Sequence, residues 1–156
     1  MHFIIIALII VLDQISKYLI ISNMSLYEST PVIERFFHIT YTQNYGAAFS
    51  ILQNQRGLFV AISSIAVIVI FYILIRYYKQ NNMMFSYSLS LIVAGAMGNL
   101  TDRIRLGYVI DFFDFRIWPV FNIADVSIVT GTLLLGLYIL WVEPKKGKAD
   151  GKDERL

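Results

Sequence analysis

Four stretches of this 156-residue chain, Phe3 to Ile21, Leu58 to Ile75, Phe85 to Leu100 and Ile123 to Val142, are mainly apolar. A helix needs about 20 mainly apolar residues to cross the hydrocarbon of a bilayer, where each backbone N–H and C=O must be satisfied within the segment. Each stretch therefore reads as a membrane-spanning helix, the third being the shortest. The apolar residues come in blocks rather than at amphipathic spacing. Only 15% of the chain is charged, against roughly a quarter in soluble domains. The fold class expected is membrane all-α: a four-transmembrane-helix bundle forming one domain over residues 1–142. The first run carries Asp13 and Lys17 and lacks a strongly basic leader and a small-x-small cleavage site. It reads as a retained span, not an export signal.

The connecting segments fix the rest of the layout. Arg76 and Lys79 lie between spans two and three, and Lys145, Lys146, Lys148, Lys152 and Arg155 follow span four. The positive-inside rule places these, and both termini, in the cytoplasm. Arg35, Arg56, Arg103, Arg105 and Arg116 fall on the outer side and weaken that signal. The tail, residues 143–156, mixes Lys, Gly, Asp and Glu without apolar spacing and is expected to be disordered. In the first outer segment, about residues 27–55, Phe37, Ile39 and Tyr41 alternate with His38, Thr40 and Thr42. That period of two predicts a strand in a small outer-surface β-sheet. The second, about residues 101–122, sets Ile104, Tyr108, Phe112, Phe113, Phe115 and Trp118 among charges, the pattern of an interfacial helical segment. Pro119 argues against one continuous helix from Asp111 into span four.

Several chemistries drop out. With no cysteine there is no disulfide, thiolate metal site or cysteine nucleophile, and His2 and His38 are too few for a histidine-rich metal centre. The net charge of +2 comes without a basic stripe interleaved with aromatics, so no nucleic-acid partner is expected.

Polar residues at membrane depth are costly and by default functional. Asp13 and Lys17 are one helical turn apart with the acid first, the better order for an ion pair, which reads as an internal lock more than as catalysis. Ala94, Gly95 and Gly98 close span three with small residues that let helices approach. Asn99 is suited equally to capping the helix, bonding a neighbour or holding a substrate carbonyl. Asp102 and Arg103 read as a surface pair at the helix end. Asn44-Tyr45-Gly46-Ala47-Ala48-Phe49 reads first as a turn, and second as backbone held close to an extended peptide. Asp111 and Asp125 differ from all of these, having no Lys or His nearby in sequence to pair them off, which favours a functional role over the alternative of structural acids satisfied by hydrogen bonds. Asp13, Asn44, Asn99, Arg103, Asp111, Asn122 and Asp125 all fall in the outer half and can converge on one site. A small transporter or proton conductor would instead spread its acids through the depth of the bundle, and a purely structural partner would use them as helix glue.

With these residues assembled, the chain resembles the lipoprotein signal peptidases, the type II bacterial signal peptidases. Five motifs carry the likeness, in family order: Asp13-Gln14-Ile15-Ser16-Lys17, Asn44 to Phe49, Gly95-Ala96-Met97-Gly98-Asn99 continuing to Asp102-Arg103, Val109-Ile110-Asp111-Phe112, and Phe121-Asn122-Ile123-Ala124-Asp125. Ala94 stands where the family often has a glycine, and the stretch from Asp111 to Asp125 is short for the family. The resemblance implies an aspartic endopeptidase of the bacterial cytoplasmic (inner) membrane, with its active site at the outer leaflet, working among membrane lipid as a monomer. It makes Asp111 and Asp125 the catalytic pair, assigns Asn44, Gly46, Asn99, Arg103 and Asn122 to binding substrate backbone or shaping the site, and gives Asp13 and Lys17 a supporting role. The implied substrate is a diacylglyceryl-prolipoprotein cut just before its lipidated lipobox cysteine. The implied cofactors and metals are none, and globomycin-type inhibitors are implied ligands.

Overall fold

The computed structural model describes residues 1–46, 55–77 and 82–142. The four apolar runs form α1 (His2–Asn23), α2 (Arg56–Tyr77), α3 (Met83–Arg105) and α4 (Ile123–Leu137), the last continuing into a π-helical turn, Tyr138–Val142. All four are long and apolar enough to cross a membrane. The expected spans lie inside these helices. The charged tail, Lys79 and the stretch Ala47 to Phe49 lie outside the described residues.

The third helix is the hub: it packs against α4, α2 and α1, and it is the most buried of the four. Its sequence explains why. The buried side carries Ser86, Ser88, Ser90, Ala94, Gly95 and Gly98, and small residues let backbones approach where lipid supplies no hydrophobic drive. A Cβ on Gly98 would lie 2.6 Å from Asp13 Oδ2 and 3.3 Å from Ala124 Cβ, and one on Gly95 would strike the backbone oxygen of Ala124. In contrast, α2 buries only Leu74 and presents Ile62, Ile65, Ile68 and Tyr72 outward, a surface that suits acyl chains. Ile6, Leu74, Leu89, Val93 and Ala94 form an apolar core at the end of the bundle where α1 and α3 begin. Polar side chains fill the other end.

That other end carries a three-stranded antiparallel sheet in the order β1 (Ser29–Ile33), β2 (Phe37–Asn44), β3 (Val109–Asp114). The predicted strand is β2, and its aromatic side behaves as expected: the Phe37 ring lies 4.8 Å from that of Phe115 and 6.1 Å from that of Phe113. Its polar side is not a solvent face, since buried Thr40 donates to Asp114 at 2.8 Å. The second outer segment departs from expectation. It is helical only as far as Arg105, turns at Gly107 with φ +89°, and becomes a strand rather than an interfacial helix. Val109, Ile110, Phe112 and Phe113 favour a pleated surface. Pairing of Asn44 with Val109 and of Thr42 with Asp111 gives their backbone groups partners that an isolated interfacial turn would lack. Among the arginines that blurred the charge asymmetry, Arg56 and Arg116 have local partners. Arg56 caps the end of α3 through the carbonyls of Arg103 (3.0 Å) and Ile104 (2.7 Å), and Arg116 pairs with Asp114 at 2.9 Å.

Candidate active site

The first turn of α4 is built from a capping box. Asn122 Oδ1 accepts from the backbone N–H of Asp125 at 2.9 Å, and Asp125 Oδ2 accepts from the backbone N–H of Asn122 at 3.2 Å. Such reciprocal bonds satisfy donors that a helix start leaves orphaned. The capping acid keeps its other oxygen for a tertiary contact: Asn99 Nδ2, from α3, donates to Asp125 Oδ1 at 2.8 Å.

Asp111, on β3, is held the same way. Asn122 Nδ2 donates to its Oδ1 at 2.7 Å and Asn44 Nδ2, from β2, to its Oδ2 at 3.0 Å. Asn122 Nδ2 also lies 3.1 Å from Asn99 Oδ1 and 3.3 Å from the carbonyl of Ile110. Thus β2, β3, α3 and α4 each deliver one or two side chains to a chain of amides that joins the two carboxylates. Of the three readings of Asn99, bonding to neighbours is the one its contacts display. Both carboxylates line a cavity of about 260 Å³, together with Asn44, Asn99, Arg103, Trp118 and Phe121. Arg103 lies over the Phe59 ring and donates through Nη2 to the carbonyl of Gly46 at 3.2 Å. Gly46 in turn donates its N–H to Asn44 Oδ1 at 3.0 Å.

Asp111 is 2% exposed. Burial, and then the charge of Asp125, push its carboxyl up to about 7, against the hydrogen bonds from Asn44 and Asn122 and the charge of Lys17. The consequence for stability has a definite sign. In the unfolded chain this acid ionises near 3.8, whereas in the fold it keeps its proton until about 7. Its contribution is therefore most favourable below the unfolded value and is lost as the pH rises toward the folded one. Asn cannot ionise, so Asp111→Asn is expected to melt higher than the parent at pH 8, by on the order of 5 °C. That difference should shrink as the pH falls to 4. Thermal melts in detergent across this range check it, and a pH-independent difference would contradict the burial argument.

Beside the cavity lies a second buried cluster. Lys17 Nζ sits 2.9 Å from Asp13 Oδ2, the expected internal pair, but also 2.8 Å from Asp102 Oδ2 and 3.1 Å from Asn99 Oδ1. Asp102 is therefore not half of a surface pair with Arg103: it is 2% exposed and is also bonded by Gln14 at 2.9 Å. The reason is helical phase. Gly95, Gly98, Asn99 and Asp102 follow one another at spacings of one, three or four and share the buried face of α3, whereas Arg103, one residue on, points to the cavity. Sequence reasoning gave Gln14 no role of its own, although its place beside Asp13 on α1 was visible.

The comparisons with known proteins agree with one another. The family described as "Signal peptidase (SPase) II" matches residues 5–141. The lipoprotein signal peptidase of Halothermothrix orenii is 51% identical over 94% of this chain and 99% of its own length. That of Moorella thermoacetica is 44% identical over 95% and 99% respectively. Among solved structures, one described as a bacterial membrane enzyme superposes with a TM-score of 0.82 at 33% identity, covering 94% of this chain and 90% of its own.

Proposed function

This chain belongs to the signal peptidase II family, a membrane protease that removes signal peptides from lipoprotein precursors, and we propose that Asp111 and Asp125 are its catalytic dyad. The observation that carries this reading is the bridge between the two acids: each is bonded by an amide, and those amides touch, beside one shared cavity. Two carboxylates in such a site do not both ionise readily, so they share a proton and titrate as a unit. The ionised member takes a proton from a water held between them. The resulting hydroxide attacks the scissile carbonyl, whose oxygen receives the proton of the other acid. On collapse the first acid gives the water's proton to the departing amine, the second takes a proton back from a hydroxyl of the tetrahedral intermediate as the carboxyl forms, and the C–N bond breaks. Asn44, Asn99 and Asn122 already donate to the carboxylates, so their role is to aim the acids. Arg103, the cation lining the cavity among the described residues, is placed to stabilise charge on the substrate carbonyl.

The substrate we infer is a diacylglyceryl-modified prolipoprotein cut just before the lipidated cysteine. Support comes from the apolar wall beside the dyad: Val126 and Val129 of α4 are exposed next to Asp125, and with Trp118, Phe121 and Thr130 they line an adjoining cavity of about 310 Å³. An acyl chain lying there would orient the peptide before chemistry and reduce the entropy to be lost at the transition state. The dyad would face the outer leaflet of the bacterial inner membrane, with both termini in the cytoplasm. The enzyme would act as a monomer and bind globomycin-type inhibitors. The positive charge beyond Ile75 supports that orientation. The test is to incubate the purified protein with lipidated and unlipidated forms of one precursor. The expected result is cleavage of the lipidated form at least ~100-fold faster, since remote binding energy is used at the reacting centre. Equal rates would remove the lipid from the mechanism.

A further inference from the structure

The buried Lys17 has contacts that a simple helix lock does not require. Its three partners each lead to the dyad by a different route. Asp13 Oδ1 accepts from the backbone N–H of Ala124 at 3.0 Å, one residue before Asp125. Asp102 Oδ2 lies 3.4 Å from the backbone N–H of Ile110, one residue before Asp111. Asn99 holds the Asp125 carboxylate directly. The bound ammonium is 2% exposed, and its acid partners are almost equally buried. Removing one partner of so buried a pair is costly, because the charge left behind has no water.

We propose that Lys17 is a positioning residue for proteolysis: one ammonium, acting through Asp13, Asp102 and Asn99, fixes the backbone on both sides of the dyad and sets the electrostatic field in which the dyad shares its proton. This rests on the reading of Asp111 and Asp125 as the dyad. The charged groups facing that pair come from three helices and the sheet. Asp13 and Lys17 come from α1, Asp102 and Arg103 from α3, and Arg56 from α2, where it is held on the carbonyls of Arg103 and Ile104. From the sheet, Asn44 is neutral, and Asp114 and His38 pair at the far end of their strands with Arg116 and Ser29 as partners. Within this set Lys17 is the cation bonded to an amide that itself touches a dyad carboxylate. Its charge acts on Asp111 in the sense that favours ionisation.

The experiment reads the acid limb of the pH profile of kcat/KM for a lipidated precursor in two variants whose effects have opposite sign. Lys17→Met removes a cation, so the ionised dyad is disfavoured and the limb should move to higher pH by on the order of one unit, with kcat at least tenfold lower and KM little changed. Asp102→Asn removes an anion while keeping one oxygen, which can stay on the side of Ile110 and Lys17 and give up the bond from Gln14, so the limb should move to lower pH. A residue that only stabilised the fold would change the melting temperature and the amount of active enzyme, leaving both limbs in place. If Lys17→Met does not fold, the isosteric Asp102→Asn decides alone. Should Asp111→Asn cleave normally, the dyad reading itself fails. Should Asp111→Asn be inactive while no variant that folds moves the limb as stated, the dyad stands and the role of Lys17 falls.

Discussion

Asp111→Asn and Asp125→Asn are each expected to reduce cleavage of a lipidated precursor by roughly 10³- to 10⁴-fold or more, with the helices intact in detergent. The argument rests on what Asn preserves and what it removes. The amide is isosteric with the acid and still accepts one hydrogen bond, so Asp111→Asn can keep a contact to Asn122 or Asn44, and Asp125→Asn can keep one to Asn99 or to the backbone of Asn122. Neither amide can take a proton from water or release one to the leaving amine. The double variant should be no worse than either single one, because the acids act as a unit. Circular dichroism and a melt establish folding, and turnover of the lipidated precursor gives the answer. Near-normal turnover in either single variant would sink the dyad.

The second large effect is expected at glycines with no chemistry of their own. A methyl group at Gly98 would lie 2.6 Å from Asp13 Oδ2, and that carboxylate has nowhere to go, since Lys17 holds it at 2.9 Å and its other oxygen is bonded to Ala124. A methyl group at Gly95 would press on the carbonyl oxygen of Ala124, which is backbone and yields less still. Both substitutions drive α3 away from the first turn of α4, where Asp125 sits. Overpacking of this kind costs about 1–3 kcal/mol, and a displacement of about 1 Å at a catalytic group can lower the rate ~100-fold. Gly95→Ala and Gly98→Ala should therefore lose about two orders of magnitude in kcat while melting lower. Gly57→Ala, where nothing lies within 4 Å of the added carbon, is the control and should be almost silent. Equal activity in Gly98→Ala and Gly57→Ala would show that the close approach is not needed.

The sequence carried the frame of this enzyme better than its wiring. Runs of twenty apolar residues allow few alternatives in lipid, so the spans could be placed within a few residues. Alternation of Phe37, Ile39 and Tyr41 exposed β2 for the same kind of reason. The strand after α3 was harder to see: Val109-Ile110-Asp111-Phe112-Phe113 is too short to display a period, and its aromatics suit a membrane interface as well as a sheet. Only pairing with β2, a contact between residues about 70 apart in the chain, decides between them. The acids at 111 and 125 stood out because nothing near them in sequence could neutralise them. Asp102 was misread for the converse reason, since an arginine follows it directly and an adjacent opposite charge looks like a partner. On a helix, neighbours in sequence point about 100° apart, and the true partner, Lys17, comes from another helix.

The capping box at Asn122 and Asp125 has a consequence for how this protein tolerates motion. In many enzymes the reactive groups sit on loops that breathe while the scaffold stays closed. Here one of the two bonds that start α4, from the Asn122 N–H to Asp125 Oδ2, is also a bond to a carboxylate of the proposed dyad, and the side chain of the same capping residue holds the other, Asp111. Fraying of that turn would release the Asn122 contacts to both carboxylates at once. Local order at the start of α4 and the geometry of the proposed dyad are therefore coupled, and exchange of the capping amide protons reads the former.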